Sequence, residues 1–121
     1  MDDPLCVNDW DDAVAFARTL PDVVMESWWG TLCPKVNGKG FLSPGREQGS
    51  FALMVTHPEK EILFETDPET FWQTDHYANY PMLLVRYGTD SGERITLYIQ
   101  RAWWDRAKKP QRIAAGMAER P

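Results

Sequence analysis

Two short β-type runs, residues 32–36 and 39–42, meet at the dipeptide Asn37-Gly38. Asn-Gly is favoured in a two-residue type I′ turn because both positions need a positive φ, which asparagine and glycine tolerate. Such a hairpin constrains its surroundings. Its strands are antiparallel, the turn sets their register, and a pair alone is too small to be stable without further strands or helices. More β-type runs are at hand: residues 23–29, broken by Gly30; residues 50–56, after the turn-rich stretch 43–49; and residues 82–87.

The flanks read as helix. Asn8 or Asp9 caps a first one, Asp11 and Asp12 sit in its first turn, and Pro21 ends it. Trp10, Ala13, Val14, Ala17 and Leu20 recur at three- and four-residue spacing and give it one apolar stripe. His57-Pro58-Glu59 opens a short helix through Ile62, Leu63 and Phe64, and Thr66-Asp67-Pro68-Glu69 repeats the device with Asp67 as cap. A long helix is predicted from about residue 93 to residue 108, with Ile95, Tyr98, Ile99, Ala102 and Trp103 as its buried stripe and Pro110 as its stop. The order predicts an α+β fold, a two-layer α/β sandwich in which an antiparallel sheet of about five strands is covered by N-terminal, middle and C-terminal helices. With 121 residues, 43% of them hydrophobic, the chain suits a single domain over 1–121, its core at about 9–114.

Charge is unevenly spread. The net charge is −5, but residues 1–30 carry −6 and residues 101–121 carry +4. A basic end can serve an anionic partner, or bases can sit at a helix end where the macrodipole favours them. The acidic start lacks a basic region followed by an apolar stretch, so no signal peptide is expected, and no apolar run is long enough to span a bilayer. Two cysteines, Cys6 and Cys33, are too few for a disulfide scaffold, which favours a reducing, cytoplasmic compartment.

The ordered segments Leu20-Pro21-Asp22, Ser27-Trp28-Trp29-Gly30-Thr31 and Lys35-Val36-Asn37-Gly38-Lys39 resemble the first half of MmcQ/YjbR-like proteins. The second half is similar through residues 66–71, Thr74-Asp75-His76-Tyr77, Tyr80-Pro81, Leu84-Val85-Arg86 and Ala107-Lys108-Lys109-Pro110-Gln111-Arg112-Ile113. The resemblance spans about residues 9–114. It implies a compact fold of the secretion-chaperone-like type, also similar to CyaY, and a family label of DNA binding through a "double wing" of β-hairpins.

Two binding surfaces follow. DNA is the first partner considered: Lys35 and Lys39 flank the hairpin tip, Arg46 lies on the next loop, and Arg86 or the exit Lys108, Lys109 and Arg112 supply a second contact. The alternative reading of these bases is a solvated hairpin protected against edge pairing. The other surface is aromatic. Trp28 and Trp29, adjacent on a strand, are expected to point to opposite faces, leaving one on an uncovered sheet face for a protein partner or a second copy. His76, Tyr77 and Tyr80, with Asp75 and Arg86, are candidates to surround a small anionic ligand, or to form a loop folded over the sheet. No catalytic motif, metal-ligand spacing or phosphate-cradling glycine loop is present, so neither enzyme activity nor a metal or other cofactor is expected.

Overall fold

A computed structural model describes residues 6–121. Helix α1 (Trp10–Ala17) begins at Asp9, whose carboxylate accepts from the Asp12 amide at 2.8 Å. Strands β1 (Val24–Trp28), β2 (Thr31–Val36) and β3 (Lys39–Gly40) form one antiparallel sheet in that order. Strands β4 (Leu42–Pro44), β5 (Ser50–Met54), β6 (Phe71–Trp72) and β7 (Met82–Arg86) form a second, ordered β4-β5-β7-β6 and also antiparallel throughout. Helices α2 (His57–Thr66), α3 (Gly92–Arg106) and α4 (Lys109–Ala114) complete the fold. The α+β class stands. The single sheet of about five strands is replaced by two sheets, because the run 39–42 is interrupted at Phe41, whose side chain is fully buried and whose carbonyl accepts from the Met54 amide at 3.0 Å.

Alternation along β5 and β7 divides the interior. Phe51 and Leu53 on β5, with Leu83 and Val85 on β7, face the main core. There they meet the α3 stripe of Ile95, Tyr98, Ile99, Ala102 and Trp103, each less than 9% exposed. Ala13, Ala17 and Leu20 close that core from the α1 side. The intervening residues Ala52, Met82 and Leu84 point the other way and form a smaller cluster with Tyr77, against which Trp28 and Trp72 pack. The second face is therefore covered too, not by helix but by the segment between β6 and β7.

Three local expectations change. Asp67 does not cap a new helix; it ends α2, its amide donating to Leu63 O at 2.9 Å. Its carboxylate instead accepts from Ser91 Oγ and from Arg94 at 3.2 Å, tying the end of α2 to the start of α3. Extended pairing of Phe71 and Trp72 with β7 wins over the proline-led helix signal. Pro110 does not stop α3, which ends before Ala107; the proline lies in the first turn of α4. Residues 57–66 form a ten-residue helix rather than a short one, begun by a reciprocal capping box between Thr56 and Glu59.

The chain's end folds back, and this is where many of the C-terminal bases are spent. Arg120 grips Asp105 at 2.8 Å and Glu59 at 2.9 Å, and Arg101 reaches the same Glu59 at 3.4 Å. Arg112 stacks on Trp104 at 3.6 Å.

Tyr87, stacked on Phe51 at 5.7 Å, has its phenol pushed up to about 12, first by burial and then by the charge of Asp9. The folded state thus favours the neutral phenol. Stability from this group is intact below the unfolded tyrosine range near ~10 and is lost as pH rises from there towards 12. A phenolate absorbance titration is expected to show a late step from Tyr87, and a Tyr87→Phe variant to lack it.

Candidate functional site

The β1–β2 turn is built on Trp29 and Gly30, with φ of +57° and +78°. The β2–β3 turn uses Asn37 and Gly38 at +54° and +79°, the same geometry with the residues it prefers. Trp29 has none of asparagine's tolerance, and a bulky side chain in the left-handed region costs roughly 1–2 kcal/mol. Its ring is 77% exposed, so burial does little to offset that. Being in the turn, Trp29 does not alternate with Trp28 as two strand residues would. The two rings lie 6.0 Å apart at 35°, walls of one surface.

Trp28 lies flat over β3. A Cβ at Gly40 would fall within its indole, so glycine there is a requirement of the packing. Beyond Trp28 opens a groove of about 510 Å³. One side is the turn, with Trp28, Trp29 and Thr31; the other is the segment after β6, with His76, Tyr77 and Tyr80. Met82 and residues 43–46, ending at Arg46, complete its lining. These aromatics lie some fifty residues apart in sequence, and the fold unites them in one cavity.

The far wall hangs on a residue that sequence reasoning passed over. Lys60, in the run Glu59-Lys60-Glu61, reads as part of a solvated helix face. Instead it is 5% exposed, and its ammonium donates to the carbonyls of Tyr77 and Tyr80, both at 2.8 Å, and of Ala78 at 3.4 Å. Burial lowers the pKa of this ammonium from the usual lysine value. The only sequence signal available was its three-residue spacing from the buried Leu63. A 3₁₀ turn (Asp75–Tyr77) ends on the first of the clamped carbonyls and sets His76 edge-on to Tyr77, centroids 4.8 Å apart.

Arg46 is the one charged guanidinium or ammonium lining the groove among the described residues. It donates to His76 Nδ1 at 2.9 Å; a guanidinium only donates, so Nδ1 is the unprotonated nitrogen of the ring. The cation expected here, Arg86, is engaged elsewhere: it lies over Trp72 at 4.6 Å and donates to the carbonyls of Pro68 and Glu69.

The other bases do not gather. Lys35 pairs with Gly40 and Val36 with Lys39, so Lys35 and Lys39 project from opposite faces of the hairpin. Lys39 lines a separate cleft of about 440 Å³ with His57, Asp105 and Arg106. Lys108 and Lys109 are exposed at the start of α4, while Arg112 is held by Trp104 through stacking and a 2.9 Å bond to its carbonyl. Cys33 is fully buried, its thiol pushed up mainly by burial, a poor nucleophile. Among the described residues no group of three or more His, Cys, Asp or Glu is arranged to hold a metal ion, and no helix is long and apolar enough to cross a membrane.

No protein-family model matches the sequence, and no curated protein matches it. The fold is similar to that of Deinococcus radiodurans protein DR2400, a DUF419 domain structure, with a TM-score of 0.66 over 97% of this chain and 93% of that one. The two are 16% identical, and DUF419 is itself an MmcQ/YjbR-like family. At that identity the likeness establishes a shared fold: this chain adopts the α+β architecture of a DUF419 domain.

Proposed function

We propose that the chain is an MmcQ/YjbR-like binding protein whose working surface is the groove between the Trp28–Trp29 wall and the Lys60-clamped segment. Family membership is supported by the ordered motifs and the shared fold. The observation that carries the binding reading is convergence: Trp28, Trp29, His76, Tyr77 and Tyr80 line one opening of about 510 Å³, a size suited to a small organic ligand or a single side chain of a partner. A neutral aromatic probe, naphthalene-2-carboxamide, is expected to shift the His76, Tyr77 and Met82 resonances. Gly40→Ala removes no groove residue but displaces the Trp28 ring, and is expected to weaken that binding about tenfold. A probe that leaves all three resonances unmoved overturns the reading.

A second reading keeps nucleic acid as the partner. It is favoured by Lys39, Lys108 and Lys109, which are exposed and have no ion-pair partner among the described residues. Phosphate-driven binding is strongest at low salt. A mobility shift at about 50 mM salt that disappears in the Lys39→Gln, Lys108→Gln, Lys109→Gln triple variant would establish it. No shift there would end it.

A further inference from the structure

We infer that the groove selects a planar aromatic ligand carrying one anionic group, with Arg46 seating the anion and Trp29 acting as an exposed stacking wall held in place against its backbone preference. The inference rests on the groove being the working surface, and adds what it recognises. Three observations converge on it.

The first is charge. Arg46 spends one N–H on His76, and no carboxylate lies within ion-pair distance of its guanidinium among the described residues. The remaining donors form a planar fork suited to a carboxylate or a phosphate oxygen pair. The second is shape. Trp29 and Tyr80, 77% and 54% exposed, line the opening with Trp28, so a flat ring entering it meets exposed aromatic faces. The third is strain. The other hairpin shows that this chain can make the same turn with asparagine, yet Trp29 occupies the left-handed position where Asn37 sits in its twin. A strained, exposed tryptophan on the rim of a groove is explained if its ring contacts a ligand.

A carboxylate and a phosphate monoester share this chemistry. Three probes of one body separate charge from shape: naphthalene-2-carboxylate, naphthalene-2-carboxamide and 2-naphthylmethylammonium, titrated by tryptophan fluorescence. The carboxylate is expected to bind about tenfold tighter than the amide, and the ammonium weakest. Arg46→Gln is expected to erase the carboxylate's advantage while amide binding persists. Naphthyl phosphate beside the carboxylate then tells which anion fits better. Trp29→Asn is expected to weaken all three probes while raising the melting temperature by about 3 °C, since it relieves the turn. Equal binding of carboxylate and amide overturns the charge assignment and leaves the groove intact as a site. A lowered melting temperature in Trp29→Asn overturns the strain argument. Failure of every probe to bind strikes the groove reading itself.

Discussion

Replacing Lys60 by methionine is expected to loosen the far wall of the groove and lower stability by about 2–4 kcal/mol. Methionine follows the path of the lysine stem but cannot donate, so the Tyr77 and Tyr80 carbonyls lose their 2.8 Å partner together, and Ala78 loses its weaker contact. Removing one partner of a buried polar set costs more than the set contributes net, because the remaining groups stay desolvated. The other bonds from this segment to the rest of the fold are Val55 N to Pro81 O, Arg46 to His76 Nδ1 and a long contact from Arg46 N to the Tyr77 hydroxyl, none of which touches the clamped carbonyls. Hydrogen exchange at the Tyr77 and Tyr80 amides is expected to accelerate well beyond the global loss, and probe binding to fall with it. Unchanged protection at those amides would show that the loop is held without the Lys60 bonds.

Trp103→Ala is expected to cost about 3–5 kcal/mol, a large share of the 5–15 kcal/mol typical of a small domain. The ring is fully buried in the main core, and its Nε1 donates to Pro21 O at 3.0 Å across 82 residues of sequence. Two losses therefore combine: a cavity against α1 and the sheet, and a carbonyl left unpaired in the α1–β1 connection. Urea denaturation measures the sum. Trp103→Phe keeps most of the volume and is expected to recover more than half of it. Its neighbour Trp104, half-buried under Arg112 and bonded to Met117 O at 2.8 Å, is expected to give a smaller effect, confined to the C-terminal turn. An equal loss at both positions would contradict the assignment of Trp103 alone to the core.

Much of the fold was legible. The Asn37-Gly38 hairpin, the Asp9 cap and the five-residue stripe of α3 were readable because each is local: a turn type, a cap or a 3.6-residue period needs only near neighbours. The failures are equally physical. At residues 66–72 a proline-led helix signal competed with pairing to β7, a partner more than ten residues away, and pairing won. At Trp29 the hydrophobic run suggested a strand, while the ladder between Trp28 and Thr31 required a turn. The candidate site was half visible. Its aromatic members stood out by type, but Arg86 was chosen over Arg46 because nothing in the chain order shows that Arg86 lies over Trp72 and that Arg46 meets His76.

By itself the sequence determined the class of this protein: an α+β chain with a type I′ hairpin, a capped first helix and a long amphipathic helix before the C-terminal turn. It also determined that the charge is split, acidic in front and basic behind. Only the tertiary structure decided what those charges and aromatics do. Much of the basic tail turned out to be engaged within the fold, Arg120 and Arg101 holding Glu59 and Arg112 covering Trp104, while Lys108 and Lys109 stay exposed. The tryptophan pair became one wall of a groove whose other wall is held by a buried lysine. Local signals carry information over a turn or two of chain, whereas a groove is made by segments thirty and fifty residues apart, and their meeting is set by core packing.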